Sequence, residues 1–73
     1  MRPDINEQIE EWFTYHKPTE DQIPKYAAIR DKAKELALVL AANTPSCPDQ
    51  TVALRKLREA VMVANQSIAC GGK

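Results

Sequence analysis

The stretch from Pro24 to Gly72, PKYAAIRDKAKELALVLAANTPSCPDQTVALRKLREAVMVANQSIACGG, decides the fold. Its first half carries Tyr26, Ile29, Ala33, Leu36, Ala37 and Leu40 on one helical face. Its second half carries Leu54, Leu57, Val61, Ala64 and Ile68, spaced alternately by three and four residues. Two helices of about twenty residues are predicted, and their ends are chemically marked. Pro24 is tolerable only in an opening turn, where its missing N–H has no intrahelical partner, so the first of these helices starts between Thr19 and Ile23. It ends near Ala42, before Asn43-Thr44-Pro45. After the Pro45 to Pro48 turn, Pro48 suits the first position of the next helix, with Ser46 or Cys47 at its cap and Asp49 in its positive end. Gly71-Gly72 stops it. Helices joined by so short a turn must be antiparallel neighbours, which makes a helical hairpin.

Upstream, Asp4 and Glu7 have capping-box spacing, and Ile5, Ile9, Trp12 and Phe13 recur at helical spacing, which predicts a short helix from Ile5 to Phe13. Pro18 biases Lys17 away from the helical region, so Tyr15, His16 and Lys17 fall on a connector. Thr19 and Gln22 form a second capping box ahead of the hairpin. The expected fold class is all-α: a short N-terminal helix followed by an antiparallel two-helix hairpin, one domain over residues 1–73.

A chain of 73 residues buries too small a fraction of its surface to be comfortably stable alone, so a disulfide, a metal or self-association is needed. Cys47 and Cys70 are the only cysteines and lie at the two ends of one predicted helix, about 35 Å apart at the helical rise, which no disulfide spans. They are expected to be free, reduced thiols. Two thiols and the single His16 lack a fourth ligand and the paired spacing of zinc motifs, so no metal is expected. Self-association remains. Leu38, Val39, Val52, Met62 and Val63 lie off both stripes and would form the kind of exposed apolar patch that marks an interface, which implies a helical homo-oligomer.

Ten Lys plus Arg balance ten Asp plus Glu, so there is no global basic field for a DNA or RNA polymer. The opening Met1-Arg2-Pro3-Asp4 leads into polar sequence unlike a signal peptide, and no run of 18 apolar residues occurs, so neither export nor a membrane partner is expected. A cytosolic protein is implied. With one histidine, no Gly-rich phosphate loop and no Gly-x-Ser-x-Gly elbow, the sequence offers no catalytic residue and no cofactor site. The Tyr15-His16-Lys17 connector supports two readings. In one, Tyr15 packs on the hairpin and its neighbours are solvated. In the other, Tyr15 offers a π-face for a base and the cations offer donors for phosphate oxygens. Arg30 and Lys34, four residues apart on one face, are either ordinary surface charges or a phosphate grip. Composition leaves both pairs of alternatives open.

FTYHKPTEDQIPKYAAIRDKAKELAL, followed after the proline turn by ALRKLREAVMVANQSIA, resembles the anti-CBASS cyclic-nucleotide sponges of phages, whose hairpin domain is shared with the sponges that counter Thoeris defence. The likeness runs from about Phe13 to Ala69 and rests on the Tyr-His-x-Pro connector, the Tyr-x-x-Ile-Arg-x-x-Ala-Lys run and the Glu-Ala-Val-Met-x-Ala-Asn stretch. The resemblance implies a homo-oligomer, typically a hexamer of interlocked hairpins, acting in the host bacterial cytoplasm. It implies binding of cyclic di- and trinucleotide signals, cyclic GMP-AMP among them, without cleavage, so that the host abortive-infection effector stays inactive. By the same resemblance Tyr15 stacks on a base, Arg30 contacts phosphate, His16 takes the neighbouring polar position and Lys34 assists. The chain departs from many members at Val63, where they have tryptophan, and at Cys70, where they have arginine. The reading from another class is a structural or protein-binding helical oligomerisation module with no nucleotide ligand, docking through Leu38, Val39, Val52, Met62 and Val63.

Overall fold

A computed structural model describes residues 4–72; the Met1-Arg2-Pro3 opening lies outside the described residues. Among the described residues there are three helices and no strand: α1 (Ile5–Trp12), α2 (Ile23–Asn43) and α3 (Pro48–Ala69). Asp4 caps α1 as its spacing predicts, its carboxylate accepting from the Glu7 N–H at 2.9 Å. The helix ends one residue before the predicted Phe13. That residue keeps its N–H on the Ile9 carbonyl at 3.0 Å but has turned to φ −107°, out of the helical range.

The start of α2 falls at the late edge of its predicted window, because the Thr19 capping box is only half built. Gln22 Oε1 accepts from the Thr19 N–H at 3.1 Å, while the Thr19 hydroxyl donates to Asp21 instead of to the backbone. Residues 19–22 make a turn that feeds Ile23 and Pro24 into the first helical positions. At its other end α2 runs to Asn43, where the Asn43 and Thr44 side chains donate to the Val39 and Leu40 carbonyls of the last turns. Cys47 is the cap of α3, Pro48 its first residue and Asp49 its first-turn acid. The glycines end it in a Schellman motif: Gly71 at φ 61° and Gly72 at φ 82° donate to the Ile68 and Ser67 carbonyls.

α2 and α3 pack antiparallel along the predicted seam. Tyr26, Ile29, Ala33, Ala37 and Leu40 face Leu54, Leu57, Val61, Ala64 and Ile68, all half-buried. Leu36 departs from the expected stripe and is 47% exposed, since the line from Ala33 through Ala37 to Leu40 fills the seam and leaves Leu36 on its flank. A glutamine clasps each end of the hairpin. Gln50 donates to the Ala41 and Thr44 carbonyls near the turn, and Gln22 donates to the Ile68 carbonyl at 3.2 Å at the open end. α1 is tied on by its C-terminal end, where Gln66 donates to the Trp12 carbonyl.

One chain leaves its apolar surface uncovered. Leu38, Val39, Val52, Met62 and Val63 are all exposed, as their positions off the stripes predict. The chain presents 6209 Å² to solvent, against about 4,500 Å² for a typical folded monomer of this mass. Its radius of gyration is 15.5 Å, where a chain of this length usually has about 11 Å. No helix among the described residues is long and apolar enough to cross a membrane.

Candidate functional site

The connector is held at both sides of Tyr15. The Thr14 hydroxyl donates to the Glu10 carbonyl, and His16 Nε2–H donates to the Glu11 carbonyl at 2.7 Å, so both satisfy acceptors left unpaired by the end of α1. Tyr15 is caught between two anchored residues and is 83% exposed. Of the two readings of this tyrosine, packing on its own hairpin does not describe the chain: the ring is presented outward from a fixed support.

Arg30 and Lys34 project from the same face of α2, one turn apart. Both are exposed. The nearest acid to Arg30 is its neighbour Asp31, at a loose 3.9 Å with both side chains about three-quarters exposed, a pair that contributes little and leaves the guanidinium available. With Arg58 of α3 they frame a shallow groove of about 290 Å³ whose floor is Ala33, Ala37, Leu54, Leu57 and Val61. Three cations over an apolar floor suit a ligand with both anionic and planar parts. Other charges do pair off along the solvated faces, as Lys32–Glu35 at 3.1 Å and Lys56–Glu59 at 3.7 Å show.

Tyr15 with His16, and Arg30 with Lys34, are brought together as two pairs. No hydrogen bond or ion pair joins one pair to the other within the described residues of one chain. Arg58 was not singled out from the sequence, although a signal for it exists. The hairpin folds about the Pro45–Ser46 turn, since Gln22 meets Ile68 and Gln50 meets Ala41, and this register sets Lys34 level with Lys56 and Leu57, one residue short of Arg58.

The end of α3 adds a feature the sequence hid. Both thiols are free, but Cys70 is no surface residue: at 2% exposure it is the one fully buried side chain among the described residues. Its Sγ–H faces the Glu11 carbonyl at 3.6 Å, and Gln66 Nε2 donates to the sulfur at 3.0 Å. The sequence set a metal aside for want of paired ligand spacing; in space, His16 Nε2, Cys70 Sγ and a Glu11 carboxylate oxygen lie within 4.8 Å of one another. Cys47, the other cysteine counted toward a site, is not in this group.

Asp21, which accepts from the Thr19 hydroxyl and its own backbone N–H and lies near Lys25, is held below the usual aspartate range.

Comparison with known families agrees with the helical-hairpin fold. The model of the Acb2/Tad1 hairpin domain matches residues 5–69, from the first residue of α1 to the last of α3. The chain belongs to the Acb2/Tad1 hairpin-domain family. No curated protein and no solved structure matches it. The Acb2/Tad1 proteins are the anti-CBASS and anti-Thoeris sponges, which bind immune signals rather than cleave them. An Acb2/Tad1 hairpin here consists of α2 and α3, with α1 and the connector laid against the open end of the pair.

Proposed function

We propose that this Acb2/Tad1 hairpin protein is an anti-defence sponge that assembles as a homo-oligomer, six chains being the expected number, and sequesters cyclic di- and trinucleotide signals such as cyclic GMP-AMP in the host bacterial cytoplasm. It holds the messenger without cleaving it, and the host effector that the messenger would activate stays silent. The observation that carries this reading is Tyr15, an outward aromatic ring on an anchored connector in a member of a sponge family. Arg30 and Lys34, with Arg58 beside them, supply the phosphate donors, and His16 supplies a polar edge next to the stacked base.

Physical chemistry supports the assignment. A cyclic dinucleotide carries two bases and two phosphates in near two-fold symmetry, and a symmetric assembly can meet it with one tyrosine and one cationic cluster from each of two subunits. Stacking is tolerant of base identity and the phosphate contacts are charge-assisted, so affinity needs no reacting group. The exposed apolar residues give the assembly its interface.

The test is to mix the purified protein with cyclic GMP-AMP, measure binding by isothermal titration, heat-denature the complex and analyse the nucleotide. Intact release of bound nucleotide is the expected result. A degraded product would make the protein an enzyme. No binding of any cyclic di- or trinucleotide would return the protein to the class of interaction modules.

A further inference from the structure

We propose that Glu11, His16 and Cys70 form a binding site for a borderline-soft divalent transition ion, with zinc the best fit, which locks α1 and the connector onto the end of α3. The donor set is one carboxylate, one imidazole and one thiol, the mixture that zinc accepts and that magnesium or calcium does not favour. Spacing agrees. His16 Nε2 and Glu11 Oε1 are 3.7 Å apart, close to the roughly 3.3–3.5 Å nitrogen–oxygen edge of a tetrahedral zinc site with ordinary bond lengths. All three ligand atoms lie within 4.8 Å of one another, so small side-chain rotations close the triangle. Three protein ligands leave the fourth position to water.

Charge favours a cation here. The C-terminal ends of α1 and α3 converge on this spot, each carrying the negative end of its helix dipole, and neither has a basic residue in its last turn. With Cys70 as thiolate, the site carries two negative charges that a divalent ion neutralises. Sulfur already receives a hydrogen bond from Gln66 Nε2 at 3.0 Å, a donor of the kind that supports a bound thiolate from outside the ligand shell. Without metal, His16 N–H and Cys70 S–H both point at the Glu11 carbonyl. On binding, the thiol proton goes to solvent, the imidazole proton moves through solvent from Nε2 to Nδ1, and the freed Nε2 lone pair and the thiolate coordinate the ion. No oxidation or reduction occurs, and one proton is released per ion.

The consequence is mechanical. Glu11 belongs to α1, His16 to the connector and Cys70 to the cap of α3, so one ion joins three segments at a single point. A small hairpin with a thin core is the kind of fold that such a staple stabilises.

The experiment is a cobalt titration of the intact, chelator-treated protein under reductant, read by absorption. A thiolate-to-cobalt charge-transfer band that saturates at one ion per chain and is displaced by zinc is expected. Cys47→Ser should keep the band and Cys70→Ser should abolish it. Because Cys70→Ser alters a buried residue, Glu11→Gln and His16→Gln serve as the second arm: each should keep its helicity by circular dichroism and weaken cobalt binding at least tenfold. Zinc should raise the melting temperature of the parent and leave that of His16→Gln unmoved. Absence of the band in the parent, its loss with Cys47 rather than Cys70, or parental affinity in both second-arm variants would overturn the site.

Discussion

Removing the Tyr15 ring separates fold from function more cleanly than any other substitution in the chain. The side chain is 83% exposed and its flanking residues Thr14 and His16 hold the connector through their own hydrogen bonds to α1, so Tyr15→Ala takes away almost no intrachain packing. Its effect on stability should be within about 0.5 kcal/mol, as for surface positions generally. The effect on ligand is of another size. Each base–aromatic stack contributes about 1–3 kcal/mol, and in a symmetric site the mutation enters twice, so cyclic dinucleotide binding should weaken by about 2–6 kcal/mol, a factor between about 30 and 10⁴. Isothermal titration gives the affinity, circular dichroism the helicity and sedimentation the assembly state. If the variant keeps its assembly and binds cyclic GMP-AMP as tightly as the parent, stacking on Tyr15 is refuted and the base is held elsewhere.

Four further outcomes are expected. Arg30→Ala should weaken binding and flatten its salt dependence, with Arg58→Ala similar in kind and Lys34→Ala smaller, all measured by titration at two ionic strengths; an unchanged salt response would remove the phosphate role. Leu57→Asp, which places an unpaired charge in the seam, should abolish folding or assembly, and the parent should sediment as a multiple of the single chain; a monodisperse monomer at micromolar concentration would contradict the interface. Cys47→Ser should be nearly neutral in thermal denaturation, whereas Cys70→Ser should cost about 1–2 kcal/mol because it alters a fully buried side chain; equal, negligible effects would show that Cys70 is less enclosed than described. Thr19→Ala should let the Asp21 pKa rise toward the ordinary aspartate value in a carbon-detected NMR titration. Since that pKa is lowered in the folded chain, its support of the turn before α2 is present above the normal aspartate range and is lost as pH falls from there through the lowered folded pKa.

Local chemistry made the helices legible, and non-local chemistry hid the rest. Asp4, Pro48 and Gly71-Gly72 act within one turn of themselves, so the start of α1 and both ends of α3 were readable to within a residue. Thr19 misled slightly because a competing acceptor two residues on, Asp21, took its hydroxyl. Leu36 and Ala37 both satisfied the helical period, and only packing against α3 could choose between them. Tyr15, His16, Arg30 and Lys34 were visible as residue types, but whether Tyr15 faced inward or outward depended on bonds from the connector back to α1. The burial of Cys70 had no periodic signal at all. It lies beyond the stripe of α3, and what covers it comes from residue 11, fifty-nine positions away.

That same separation bears on how the proposed site must work. His16 is anchored at the level of Cys70, while Arg30 shares its groove with Val61, so about nine residues of α3, or roughly 13 Å at the helical rise, lie between the tyrosine's support and the phosphate grip. In the proposed sponge one chain offers a base platform and a cationic groove as two stations along its length, and a compact dianion would be met most fully where stations from more than one chain converge. On that proposal, binding and assembly share one free energy. A ligand present at 100 times its dissociation constant adds about 2.7 kcal/mol per site to the assembled state, and conversely the dilution that separates chains also releases the ligand. For a sponge this coupling has a direct advantage: as chains accumulate to the concentration at which they assemble, the capacity to hold messenger appears with them, and no separate switch is needed to turn it on.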